Sequence, residues 1–186
     1  MGKLIYTANV SLDGRVEDER GTPEWGAPDE EVFGFLTDHE RPIGTYLYGR
    51  RMYETMAYWE SQGDGPDDSA ANRDFARIWR AADKVVFSRT LETPATARTR
   101  VERAFDADLV RQLKDTAATD ITIGGAELAG QAIAMGLVDE LNLVVVPVLL
   151  GKGKRALPEG IKARLELLDE IRFAGGTVYL RYRVDS

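Results

Sequence analysis

The sequence predicts an α/β fold: a mixed sheet flanked by helices and finished by an antiparallel hairpin. Three observations carry this. Short apolar β-rich runs alternate with amphipathic stretches of helical period through the first two thirds of the chain. The tail "EIRFAGGTVYLRYRV" then reads as strand, Gly-Gly turn, strand. No repeat, low-complexity block or linker interrupts the 186 residues, so residues 1–186 are expected to form one domain.

The strands are taken in order. "KLIYTANV" and "TYLYG" are apolar and β-rich. "KVVFS" is short and unbroken, as a strand buried on both faces is. "DITIGG" ends in two glycines, and "ELNLVVVPVLL" is a long strand expected to be interrupted, by a bulge, at Pro147. In the tail, Val178, Leu180, Tyr182 and Val184 alternate with Tyr179, Arg181 and Arg183, which predicts a half-buried hairpin.

The helices lie between. "DEEVFGFLTDH" opens on Asp29 as N-cap. "DFARIWRAAD" puts Phe75, Ile78, Trp79 and Ala82 on one face, and "DADLVRQLKDTAA" does the same with Leu109, Val110, Leu113 and Ala117. "AELAGQAIAMG" ends on Gly136 as the residue after its cap. "SQGDGPDDSA", 61–70, is the most loop-like segment and reads as a surface excursion.

Composition excludes several chemistries. With 44% hydrophobic and 30% charged residues the chain is expected to fold. There is no cysteine and one histidine, which removes disulfides, thiolate nucleophiles, iron–sulfur clusters and cysteine or two-histidine zinc sites; no metal is expected. His39, in "TDHERP", reads as a solvated residue at a helix end. A net charge of −7 disfavours nucleic acid as a partner. No apolar run is long enough for a membrane span, and "MGKLIYTANV" is too short and strand-like for a signal peptide, so a cytoplasmic chain is expected.

Against that acidic background, cations stand where strands hand over to helices. "YGRRMYE" holds Gly49, Arg50 and Arg51 at such a junction; a tight turn with surface arginines is the plainer reading, an anion site the other. "VVFSRT" ends a strand in Ser88, Arg89 and Thr90. "TIGGAELAG" puts Gly124 and Gly125 before a helix start, where glycine admits a close backbone approach; it is not the G-x-G-x-x-G fingerprint, so no Rossmann site is implied. Ligands of open α/β sheets bind beyond the carboxyl ends of strands, and all three segments sit there. Asp13-Gly14 in "SLDGRV" is either a common turn pair or a functional acid at the end of the first strand. Trp25, Met56, Tyr58 and Trp59 suit a pocket for a flat ring, and each suits plain packing equally. "LLGKGKRALP" offers Lys152, Lys154 and Arg155, as an exposed basic loop or as a lid over an anionic substrate.

In order and spacing, "YLYGRRMYETM", "VVFSRTL", "TIGGAELAGQAI" and "VDELNLVVVPVLLGKG" resemble the dihydrofolate-reductase-like superfamily. "ANVSLDGRV" is similar, more specifically, to the reductase domain of bacterial riboflavin biosynthesis, the RibD C-terminal family, and its stand-alone relatives. The resemblance implies a dihydrofolate-reductase-like mixed sheet and an NADPH-dependent reductase. Gly49, Arg50, Arg51 and Met52 would hold NADPH phosphates. Ser88, Arg89 and Thr90 would meet the adenosine side with its 2′-phosphate, and Gly124, Gly125, Ala126 and Glu127 the pyrophosphate. It further implies a cis peptide between Gly124 and Gly125, a homodimer, and a ribosylamino-pyrimidine or related small heterocycle as substrate. Asp13 would face that substrate as the catalytic acid, orienting hydroxyls or relaying a proton through water, with Trp25, Met56 and Trp59 beside it. Two alternatives stay open: a dihydrofolate reductase and a non-catalytic NADP-binding module. The first requires an acid on the first helix to engage a pterin; Asp29, Glu30 and Glu31 lie there but read better as helix-start residues.

Overall fold

The structure is a computed structural model, and it describes residues 1–62, 65 and 68–185. Of the loop expected at 61–70, positions 63, 64, 66 and 67 lie outside the described residues.

One eight-stranded sheet runs through the molecule. Its strands are β1 (Leu4–Ser11), β2 (Ile43–Gly49), β3 (Asp83–Phe87), β4 (Thr99–Glu102), β5 (Asp120–Gly124), β6 (Glu140–Val146), β7 (Leu165–Arg172) and β8 (Val178–Val184). The spatial order is β4-β3-β2-β5-β1-β6-β8-β7. Strands β1 to β6 are mutually parallel, while β8 runs antiparallel to both β6 and β7. Among the described residues the α-helices are α1 (Glu30–Glu40), α2 (Arg50–Met56), α3 (Ala70–Ala81), α4 (Ala107–Thr116) and α5 (Ala126–Ala134).

Side-chain alternation along the strands divides the core between the two faces of the sheet. On one face Leu4, Tyr6, Leu47, Val85, Ile121 and Ile123 pack with Val110 of α4 and Leu128, Ala129 and Ala132 of α5. On the other, Ile5, Tyr46, Tyr48 and Val86 pack with Tyr53 of α2 and Phe75 and Trp79 of α3. Burial on both faces explains why the central strands read as unbroken apolar runs.

Helix starts follow their caps. Asp29 Oδ1 accepts from the Val32 amide at 2.9 Å, and the Asp106 side chain caps α4. Helix α3 begins four residues before the expected "DFARIW", because Ser69 Oγ accepts from the Asn72 amide at 3.1 Å. Gly136, at φ 64°, closes α5 as expected.

Three expectations are corrected. Strand β6 ends at Val146 and does not resume over 148–150, beyond Pro147, whose ring removes the donor the ladder would need. β4 and the first half of β7 were not foreseen, since "TRVE" and "LELLD" are too short or too charged to announce a strand. In β8 the deepest residue is Tyr179, of the set it shares with Arg181 and Arg183 rather than of the wholly apolar set, because Phe35 of α1 packs edge-on against it at 4.8 Å.

Candidate functional site

The parallel run β3-β2-β5-β1-β6 sets five strand carboxyl ends side by side. The glycine, serine and arginine junctions singled out in the sequence therefore converge on the carboxyl side of the sheet. β2 passes to α2 at Gly49, β3 passes to Ser88, and β5 passes to α5 at Gly125. Because β3, β2 and β5 are consecutive neighbours, these three junctions are adjacent.

The Gly-Gly junction is tightly made. A Cβ on Gly124 would lie 2.8 Å from the Tyr48 ring and 3.1 Å from Met52 Cγ. Gly125 is at φ 96°, a region that L side chains avoid. No described peptide bond is cis, which corrects the expectation for Gly124–Gly125: the positive φ of Gly125 makes the sharp exit from β5 instead. Gly125 is also the N-cap of α5 and brings no capping side chain, so the first amides of α5 have no side-chain cap. An acceptor with negative charge suits that position.

Arg50 reaches sideways. Its Nε donates to Glu54 Oε1 at 2.7 Å and its Nη1 to Thr90 Oγ1 at 2.8 Å, tying the β2 junction to the β3 junction. Ser88 is buried, and its Oγ accepts from the amides of Thr90 and Leu91, which folds that turn. Arg103 Nη1 supports the same turn through the Leu91 carbonyl at 2.8 Å. Arg89 is exposed and makes no ion pair among the described residues. Met52 is half-buried and fills space beside Gly124, so its visible role is packing. Ala126 and Glu127 form the first turn of α5.

Asp13 follows β1. Its Oδ1 accepts from Ser11 Oγ at 2.8 Å and from the Leu150 amide at 3.0 Å, and its Oδ2 from the Gly151 amide at 2.8 Å. The Leu150 amide, then the Ser11 hydroxyl, draw its carboxyl down to about 2. A carboxylate held so firmly ionised is poorly suited to carry a proton near neutral pH, and well suited to accept a hydrogen bond and to pin the loop after β6.

The aromatic candidates divide. Trp59 stacks on Phe33 at 6.0 Å and packs on Phe75 at 4.8 Å, and Met56 packs on the same cluster, so both are anchored to the core of the α1–α3 side. Tyr58 is exposed and lies edge-on to Trp59 at 5.2 Å. Trp25 sits in a one-turn 3-10 helix beyond β1, its indole donating to the Thr22 carbonyl at 3.2 Å; that turn is tied to β1 by Asn9 Nδ2 on the Gly26 carbonyl at 3.1 Å. His39 is half-buried rather than solvated, because its ring packs on Phe35 at 4.1 Å. Asp29 caps α1 and Glu31 Oε2 accepts from the Ala174 amide, so both helix-start acids have structural employment. No group of His, Cys, Asp and Glu able to hold a metal occurs among the described residues.

Sequence reasoning missed the charged partners in the loop after β1. Glu17 lies 3.6 Å from Arg51 and 3.7 Å from Lys154, and Lys154 lies 2.9 Å from Glu127. The acidic run "EDE", 17–19, facing the basic run at 152–155 was the available signal.

The comparisons with known proteins fit this geometry. The RibD C-terminal domain model matches residues 2–179. An uncharacterized protein, YyaP, of Bacillus subtilis (strain 168) is 31% identical over 183 residues, covering 97% of this chain and 94% of its own. A putative riboflavin biosynthesis protein from Shewanella sp. PV-4 superposes with TM-score 0.75 at 19% identity, over 99% of both chains. A diaminohydroxyphosphoribosylaminopyrimidine deaminase/5-amino-6-(5-phosphoribosylamino)uracil reductase from Thermotoga maritima superposes with TM-score 0.67 at 12% identity, over 99% of this chain but 57% of that one. The two solved structures share the fold; the family match runs through each of the glycine and arginine junctions that meet at the carboxyl edge, and the chain belongs to the RibD C-terminal domain family.

Proposed function

We propose that the protein is an NADPH-dependent reductase acting on a small heterocycle, with a ribosylamino-pyrimidine as the favoured substrate class. The observation that carries this reading is the convergence of three junctions, at Gly49, Ser88 and Gly125, on adjacent strand ends, one of them a helix start without a side-chain cap. NADPH would supply the hydride; the chain supplies orientation and a site shaped for it. Gly125, Ala126 and Glu127 would receive the pyrophosphate through the first turn of α5. Arg50 and Arg51 would offer charge to the same phosphates, and Ser88, Arg89 and Thr90 would flank the adenosine, with Arg89 on the 2′-phosphate. Asp13 would accept a hydrogen bond from a substrate hydroxyl while holding the loop after β6, and Trp25 would close the ring-binding side. The core packing of Met56 and Trp59 favours a supporting role for them behind that side.

A homodimer belongs to the same reading. Strand β7 is a sheet edge, exposed along nearly its whole length, and it presents Leu165, Leu167 and Leu168. An open apolar edge invites pairing with a second copy.

The test is a titration with NADPH and NADH, followed by a screen for NADPH oxidation across pyrimidine, pterin and simple carbonyl substrates. NADPH binding with turnover of a ribosylamino-pyrimidine supports the reading. Methotrexate-sensitive turnover of dihydrofolate would replace it with folate reduction, and NADPH binding without any turnover would replace it with a non-catalytic module.

A further inference from the structure

Four charged side chains from four segments meet beside the Gly-Gly junction. Glu17, from the loop after β1, stands between Arg51 at the start of α2 and Lys154 from the loop after β6, at 3.6 and 3.7 Å. Lys154 Nζ also lies 2.9 Å from Glu127 Oε1. The hydrogen bond from Lys154, then its charge, hold the Glu127 carboxyl below its usual range, with a further contribution from Arg51. Both cations that flank the uncapped turn of α5 are therefore already faced by acids of the chain itself.

The backbone holds Glu17 in place. The Val16 amide donates to the Lys154 carbonyl at 2.9 Å, and Arg15 Nη1 donates to the Gly153 carbonyl at 2.9 Å. A Cβ on Gly153 would fall 1.9 Å from the Glu17 carbonyl oxygen, so the two loops touch backbone to backbone. Asp18 Oδ1 accepts from the Arg20 and Thr22 amides and fixes the turn that follows. The side chain of Glu17 is 21% exposed and that of Lys154 29%, so this pair is less open to solvent than Arg51, at 71%.

We propose that Glu17 is a counter-ion gate: it occupies Arg51 and Lys154 until the diphosphate of a ligand takes its place. This rests on the cofactor reading for the identity of the ligand, but the gate answers to any compact polyanion. The exchange is favourable for a diphosphate because it brings more charge and more acceptor oxygens to the two cations than one carboxylate does. A singly charged carboxylate gains nothing by it. Glu17 thus lowers affinity for every anion, and an anion too weakly charged to displace it does not reach the two cations, which makes it a selectivity residue rather than a catalytic one.

The test uses inorganic pyrophosphate as the probe, titrated calorimetrically into the full chain at low and high salt. Glu17→Gln should bind it roughly three- to fivefold more tightly than the wild type at low salt, the gain from freeing the partly screened Arg51 and removing one of the two acids that face Lys154. Glu19→Gln makes the same charge change on the neighbouring Glu19, whose ion pair among the described residues is with Lys152, at 3.9 Å, and it should move the affinity less than twofold. Glu17→Ala should act in the same direction as Glu17→Gln. In a Lys154→Met background the gain from Glu17→Gln should shrink. Equal effects of the two glutamine variants would overturn the gate, as would pyrophosphate binding to neither wild type nor Glu17→Gln. NADPH run in parallel separates the two readings. A pyrophosphate response without NADPH binding removes the cofactor and leaves the gate; NADPH binding with equal affinity to wild type and Glu17→Gln leaves the cofactor and removes the gate.

Discussion

Replacing Arg89 by alanine should abolish most of the preference for NADPH over NADH while leaving the fold intact. Arg89 is exposed and makes no ion pair among the described residues, so its removal breaks nothing inside the protein. Its neighbour in charge, Arg50, is different: it is held by Glu54 and Thr90, at 2.7 and 2.8 Å, and has less to give a ligand. Arg89 should therefore carry the larger share of any contact to a 2′-phosphate. Hydrogen bonds between charged groups contribute roughly 1.5–3 kcal/mol, and an exposed site sits at the low end, which corresponds to about tenfold in dissociation constant. The assay is fluorescence titration of both nucleotides into wild type and Arg89→Ala, with thermal melting as the control for folding. NADPH should weaken about tenfold, NADH by less than twofold, and the melting temperature should not move. Equal losses for the two nucleotides would refute the 2′-phosphate assignment, and no loss for either would remove Arg89 from the site.

Three further outcomes are expected. Gly125→Ala forces a Cβ onto a backbone at φ 96° and should cost about 1–2 kcal/mol of stability, and it should weaken NADPH binding by more than that stability loss explains; unchanged nucleotide affinity at reduced stability would leave Gly125 a purely structural residue. Glu40 lines a small cleft with Ile5, Ile43 and Tyr179, its carboxyl accepting from the Tyr46 hydroxyl at 2.9 Å, and burial pushes that carboxyl up to about 7. The folded state then holds a proton that the unfolded chain releases near its ordinary 4.5, so stability should be full below that value, fall as pH rises toward 7 and level off above; Glu40→Gln should be more stable than wild type at pH 8 by roughly 2–3 kcal/mol, and parallel denaturation profiles from pH 4 to 8 would contradict this. Light scattering at micromolar concentration should give a dimer mass for the wild type and a monomer mass for Leu167→Glu, which puts a charge on the open β7 edge; a monomeric wild type would remove the dimer from the account.

The parts of the fold that sequence made legible were those where one local signal sufficed. Asp29 marked a helix start because a short acceptor before an amphipathic run has few other uses. The buried strands announced themselves by apolar runs, since helices cover both faces of the sheet. The end of β6 and the start of β7 were illegible for opposite reasons: residues 147–150 stay apolar after the ladder has stopped, and "LELLD" forms a strand although all six β7 residues before Ile171 are exposed. Within the candidate site, the glycine and arginine junctions could be picked out one at a time, but only the parallel order β3-β2-β5 brings them together. Asp13 was visible as a turn residue, whereas its hold on the Leu150 and Gly151 amides joins positions 137 or more residues apart. The bridging of Glu17 has the same origin: its partners come from α2 and from the loop after β6.

A crystal structure of the protein with NADPH, together with the dissociation constant for the same complex, tests the central claim most directly. The diphosphate is expected at the first turn of α5, against Gly125, Ala126 and Glu127, with the 2′-phosphate beside Arg89 and the nicotinamide toward Asp13. A nucleotide bound away from the carboxyl edge of the sheet, or no binding at millimolar NADPH, would contradict it.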